Sequence, residues 1–196
     1  MSGVINKVTV LRTGYCINEG KGVFKANGTI TLVTGSAVVL IDTGLPCDKT
    51  LLLSKLSEKG LEAEDVEYVV GTHGHSDHIG NLNLFPSSCF AVSYDVCRGD
   101  RYLDNNLKAG GSYEISKSID VIPTPGHTGA DISVIITGTE HGVTAVCEED
   151  LCDESIWKCN SENAAEQFKH REKILHLADY IIPGHGPGFK SPFSKN

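Results

Sequence analysis

Long apolar runs are missing from this 196-residue chain; the longest, Ala37 to Ile41 and Ile132 to Ile136, extend about five residues against the ~20 that cross a bilayer. A membrane-spanning helix is therefore excluded, and no membrane is expected among its partners. Met1 to Lys7 shows no basic stretch leading into an apolar segment, so no secretory signal is visible and the cytosol is the expected location. The seven cysteines are odd in number and contain no C-x-x-C, which argues against a disulfide framework or a zinc ribbon and for thiols in a reducing compartment. Positive charge is scarce: 17 bases against 25 acids leave a net charge of −8, which repels polyanions at long range. The one basic concentration, Lys169, His170, Arg171 and Lys173, reads as the solvated face of a helix. Low-complexity segments, proline-rich linkers and short repeats are also lacking, so residues 1–196 are expected to form a single domain. A chain of this length removes roughly 70% of its unfolded surface from water and needs no disulfide to build a core.

What is present is a mixed grammar. β-branched or alternating runs at Asn6 to Leu11, Thr29 to Val33, Ala37 to Ile41, Glu67 to Val70, Ser88 to Ser93, Ile119 to Ile122, Asp131 to Ile136 and Val143 to Cys147 predict strands. Helices are predicted over Cys47 to Lys59, ended by Gly60, and over Asn163 to Leu177. Hairpins early and helices at intervals later predict sheets with helices packed outside, and two face-to-face sheets are one architecture that fits.

The informative segment is Thr72-His73-Gly74-His75-Ser76-Asp77-His78, an H-x-H-x-D-H pattern that follows a strand. His73 and His75 stand two apart, so an extended backbone turns both rings to one side, where they can grip one cation. Asp77 and His78 are adjacent; a helix starting around Ser76 would project them toward a second position nearby. Imidazole with carboxylate oxygen suits zinc first, with iron or manganese as substitutes. Two sites need further ligands from other strand ends. His127 and His185 each follow a Pro-Gly in a turn, Pro125-Gly126-His127 and Pro183-Gly184-His185, and Glu148-Glu149-Asp150 is a carboxylate cluster after the strand that ends at Cys147. His141, His170 and His176 are assigned to surface or packing.

This constellation resembles the metallo-β-lactamase superfamily, whose H-x-H-x-D-H is followed by a distant His, an Asp and a His. Leu40-Ile41-Asp42-Thr43-Gly44 also looks like that family's strand-end D-T-G. The resemblance implies an α/β (α+β) fold, the αββα sandwich, with a di-metal cleft at one edge of the sheets. By position it implies two Zn2+ per chain: His73, His75 and His127 on the first, Asp77, His78 and His185 on the second, and Asp150 bridging. Asp42 would orient a ligand or loop by hydrogen bonds. Glu149 stands where the family normally has glycine, which leaves Glu148 and Glu149 open as the bridging donor.

Two zinc ions about 3.5–4 Å apart would hold a hydroxide for attack on a carbonyl carbon or a phosphorus, with Asp77 orienting it as the catalytic residue. Within the superfamily, the segments around His73, His127 and His185 are similar to a small branch of zinc-dependent, homodimeric endoribonucleases acting at the 3′ end of histone pre-mRNA. That likeness implies RNA as the partner, a homodimer, and the nucleus beside the cytosol as location. The alternatives are a glyoxalase II-like hydrolase of a small ester or thioester and a non-catalytic metal-binding module. The short stretch after His185 is expected to leave no room for the helical domain that binds glutathione thioesters.

Overall fold

The structure, a computed structural model, describes residues 5–148 and 154–194. The chain begins with β1 (Lys7–Arg12), a separate hairpin of β2 (Tyr15–Gly20) and β3 (Val23–Asn27), then β4 (Ile30–Thr34), β5 (Val39–Ile41) and α1 (Lys49–Ser57). β6 (Tyr68–Gly71), the one-turn α2 (Ser76–Ile79), β7 (Cys89–Val92), β8 (Asp95–Arg98) and β9 (Arg101–Tyr102) follow. The second half runs through β10 (Tyr113–Ser116), β11 (Ile119–Pro123), β12 (Ile132–Thr139), β13 (Gly142–Cys147), α3 (Glu154–Asn160), α4 (Ala164–Leu177), β14 (Tyr180–Pro183) and β15 (Phe189–Lys190). One sheet has the order β1-β4-β5-β6-β7-β8-β9 and the other β10 to β15 in sequence order. β5, β6 and β7 are mutually parallel, as are β13 and β14; the remaining neighbours are antiparallel.

Side-chain alternation explains why these strands stack in four layers. Val39, Ile41 and Val70 of the first sheet share one apolar cluster with Val134, Ile136, Val146 and Ile182 of the second. The intervening Leu40 and Val69 point the other way, into a cluster with Leu52 and Leu56 of α1. On the far side Ile135, Ala145 and Ile181 meet Ile174 of α4. Strands buried on both faces read as unbroken apolar runs, and that is why the sequence shows them so plainly. The nine residues of α1 fall below the ~12–15 at which an isolated helix is even marginal. Leu52 and Leu56, one turn apart and fully buried, supply what the helix lacks, at roughly 1.5–3 kcal/mol each.

The αββα expectation thus stands. The helix predicted from Cys47 to Lys59 begins as a tight 3-10 turn at Pro46–Asp48 and ends at Ser57, with Gly60 at φ +74° closing the connection. The β2–β3 hairpin and α3 were not foreseen. The hairpin belongs to neither sheet and is mostly exposed, so no burial rhythm marks it. None of the described cysteines forms a disulfide. No described helix is long and apolar enough to cross a membrane.

At one end of the sandwich the two sheets are joined by the buried Asn6. Its amide donates to Ser118 Oγ and the Thr137 carbonyl, both at 2.9 Å, and its Oδ1 accepts from Ser36 N at 3.0 Å. At the opposite end, where β5, β6, β11, β13 and β14 finish, the histidines and acids gather.

Candidate metal centre

β6 delivers Thr72 and His73 as the strand ends, and the chain stays extended through His75, whose φ and ψ are −72° and 146°. α2 then starts at Ser76, the turn into helix that the adjacent Asp77 and His78 require. Ligand atoms of His73, His75 and His127 lie within 4.8 Å of one another, and so do those of Asp77, His78 and His185. His75 Nδ1 approaches His127 Nε2 to 3.1 Å, and His78 Nε2 approaches His185 Nε2 to 3.3 Å. The six residues read from the sequence thus converge as two adjoining triads.

The seventh predicted residue, Asp150, lies outside the described residues, and so does Glu149. Glu148, the first residue after β13, occupies the junction. Its Oε2 lies 3.4 Å from both His73 and His78, while Oε1 lies 3.6 Å from His185 and 3.8 Å from His127. Glu148 also forms a third candidate group with His73 and His78. Gly184 makes room for it: a Cβ there would run into Glu148 Oε2.

Asp42 acts as the sequence suggested, through hydrogen bonds. It sits at the end of β5 at φ +58°, a conformation rare outside glycine. Its carboxylate accepts from His78 Nδ1 at 2.8 Å, from Thr72 N at 2.8 Å and from Thr72 Oγ1 at 2.9 Å. A carboxylate on the rear nitrogen of an imidazole fixes the ring and leaves the front nitrogen to face a cation. His185 is held by main chain instead, its Nδ1 lying 3.1 Å from the Tyr15 carbonyl and 3.2 Å from that of Asn27.

Asp131 is a residue that sequence reading missed. Nearly fully buried, it accepts from Gly126 N at 3.0 Å, Thr128 N at 2.7 Å and Thr128 Oγ1 at 2.5 Å, and so shapes the turn bearing His127. Burial pushes its carboxyl up to about 6 even against those donors. The Thr128-x-x-Asp131 spacing after a glycine was the available signal.

Charge in the cluster is finely set. Burial, then repulsion by neighbouring imidazoles, holds His73 well below its ordinary value, lowers His127 to about 4 and lowers His185. These rings stay neutral, the form in which imidazole binds a metal. For His78 burial acts downward but Glu148 and Asp42 outweigh it, raising the ring to about 10. Burial drives the Glu148 carboxyl well above the usual range, and His78 opposes it. Among the described residues, His73 Nε2 and Glu148 Oε2 are buried without a hydrogen-bond partner. A neutral imidazole nitrogen and a carboxylate oxygen, both buried without a hydrogen bond, suit a divalent cation, so the donor set fits a metal. Beside the cluster opens a cavity of about 220 Å³, reached by His75, Asp77, His127 and Glu148 and walled by Phe24, Trp157 and Gln167.

Residues 25–142 match the profile of the metallo-beta-lactamase superfamily. The chain belongs to that superfamily, a class of metal-dependent hydrolases, and its histidine and acid cluster is the candidate divalent-metal centre. Among named relatives, it is 42% identical to metallo-beta-lactamase domain-containing protein 1 of Xenopus laevis, across 96% of this chain and 83% of the relative. The human protein of the same name is 39% identical across 93% and 81%. Among solved structures, a metallo-beta-lactamase-type protein of Thermotoga maritima superposes with TM-score 0.69 at 18% identity, covering 95% of this chain and 99% of its own. An N-acyl homoserine lactone hydrolase holding its product at a catalytic metal centre superposes with TM-score 0.65 at 15% identity, covering 93% of each. These two likenesses speak to the fold.

Proposed function

We propose that this protein is a di-zinc hydrolase of RNA phosphodiesters. The observation that carries the metal reading is the pair of triads meeting at Glu148, whose buried Oε2 has no hydrogen bond among the described residues. All six nearby donors besides Glu148 are imidazole nitrogens or the Asp77 carboxylate, a set that zinc favours without thiolate. His73, His75 and His127 would hold one ion and Asp77, His78 and His185 the other, with Glu148 between them. When bound, such a pair supplies Lewis acidity and brings the pKa of water near 7. Asp77 reaches both the second triad, 3.7 Å from His78 and 3.8 Å from His185, and the cavity. It is placed to accept a proton from attacking water and to aim that water at phosphorus. Asp42 keeps His78 from swinging out of line during this step.

Support for RNA over other substrates comes from the likeness of the motif segments to the endoribonuclease branch. A second reading, hydrolysis of a small ester or thioester, is favoured by the net charge of −8 and by the modest cavity with its apolar wall. The deciding experiment sets zinc-loaded protein and its His75→Ala variant against single-stranded RNA, a thioester, a β-lactam and a simple phosphodiester. RNA cleavage that disappears with chelator and in the variant is expected. Turnover of the thioester alone rejects the phosphodiester reading.

A further inference from the structure

Arg12 closes β1 opposite Ile30, just past a register irregularity that follows Val10, the kind of bulge that re-aims a side chain. Its side chain is 15% exposed and spans three acceptors. Nη1 donates to Asp48 Oδ2 at 2.6 Å, while Nη2 donates to Asn27 Oδ1 at 2.8 Å and to the Gly28 carbonyl. None of the three is a candidate ligand, yet each leads to the second triad. The Asn27 carbonyl stands 3.2 Å from His185 Nδ1. Gly28 N donates to the Asp77 carbonyl at 3.3 Å, and a Cβ on Gly28 would meet Cε1 of His78 at 2.7 Å, so the backbone lies against that ring. Asp48 Oδ2 accepts from Leu45 N at 2.8 Å, in the loop whose Thr43 N donates to the His78 carbonyl at 2.6 Å. The first triad is supported elsewhere: His73 and His75 follow β6 directly, and Asp131 shapes the turn of His127.

Two carbonyls, those of Tyr15 and Asn27, face His185 Nδ1 and require its proton there, which leaves the Nε2 lone pair toward Asp77 and His78. We propose that Arg12 is a positioning residue for the second triad alone, its guanidinium fork fixing Asn27 and Gly28 against His185, Asp77 and His78 so that these donors meet a cation already aimed. The proposal rests on the two-ion reading of the centre. A planar fork holds several acceptors in fixed directions, which a lysine ammonium, a point charge on a flexible stem, does not. Donors that need no reordering lose less conformational freedom to the ion, so removing the fork weakens one ion and spares the other.

Zinc dissociation constants are measured by chelator competition on the whole chain for wild type, Arg12→Met and Arg12→Lys. His127→Ala and His185→Ala identify which constant belongs to which triad. In Arg12→Met the constant lost in His185→Ala is expected to rise about tenfold, as for other groups that orient a ligand from behind, and the constant lost in His127→Ala to stay within about twofold. Arg12→Lys keeps the charge beside Asp48 and should show the same selective loss to a smaller extent. Nitrogen NMR of the metal-free protein adds a readout that needs no ion: the His185 proton is expected on Nδ1 in wild type and shared between Nδ1 and Nε2 in Arg12→Met. Equal weakening of both ions, as a general loss of stability would give, overturns the proposal. So do wild-type constants, or an unchanged His185 tautomer, in both variants. Wild type that takes up a single ion overturns the two-ion reading, and the His185 tautomer then decides the role of Arg12 by itself.

Discussion

The turns that carry His127 and His185 share the tripeptide Pro-Gly-His, yet they are held by opposite means. In the first, one carboxylate four residues downstream collects the donors: Asp131 takes Gly126 N, Thr128 N and Thr128 Oγ1. In the second, support arrives from distant chain. Thr29 N donates to the Gly184 carbonyl at 2.6 Å, and the carbonyls of Tyr15 and Asn27 face His185 Nδ1. Asn27 is in turn fixed by Arg12, which bonds its Oδ1 at 2.8 Å, and by Asp48, whose Oδ2 accepts from Asn27 Nδ2 at 3.0 Å and from Arg12 at 2.6 Å. The same local sequence therefore places one candidate ligand by a self-contained loop and the other through contacts with β1, the β2–β3 hairpin, the residue before β4 and the turn before α1.

Three substitutions sharpen this contrast. The largest effect is expected for Asp131→Ala, which leaves buried donors of the first turn unmet and should cost about 3 kcal/mol, read as a lower urea midpoint. Next comes Gly184→Ala, whose new methyl would displace Glu148 from the junction. Metal affinity should fall on the order of 10–100-fold by chelator competition, with circular dichroism unchanged. If affinity stays within twofold, Glu148 is not at the heart of the centre.

The smallest effect concerns the support of the second turn and appears in acid. Burial acts to raise the Asp48 carboxyl, but hydrogen bonds from Asn27 and Arg12 hold it below its ordinary range. A carboxyl depressed in the folded state stabilises above the unfolded value of about 3.9 and loses that contribution as pH falls through the folded one. Wild type should therefore lose stability below about pH 4 more steeply than Asp48→Asn, as followed by urea midpoints across that range. Parallel curves would show that Asp48 does not couple to folding.

The same contrast explains what could be read from the residues alone. His73, His75, Asp77 and His78 were legible because four candidate ligands fall within six positions and their backbone demands, extended and then helical, follow from spacing. His127 and His185 were legible as a repeated turn. The inner strands announced themselves by burial on both faces. The acid beside the triads was less clear, because Glu148, Glu149 and Asp150 are chemically alike; among the described residues, Cys147 pairs with Pro183, which sets Glu148 against Gly184 and next to both triads. Trp157 and Gln167 gave no sign at all.

The two ends of the sandwich close differently. At one, Asn6 stitches the sheets together with neutral hydrogen bonds that need nothing from outside the chain. At the other, five imidazoles and two carboxylates crowd together, drawn from both sheets and spanning His73 to His185 along the chain. A cation there works as a clasp whose grip scales with its concentration, worth about 2.7 kcal/mol at a hundred times its dissociation constant. Starved of metal, this protein would fray from its working end first, so supply of the ion would govern how long the molecule lasts as well as whether it turns over.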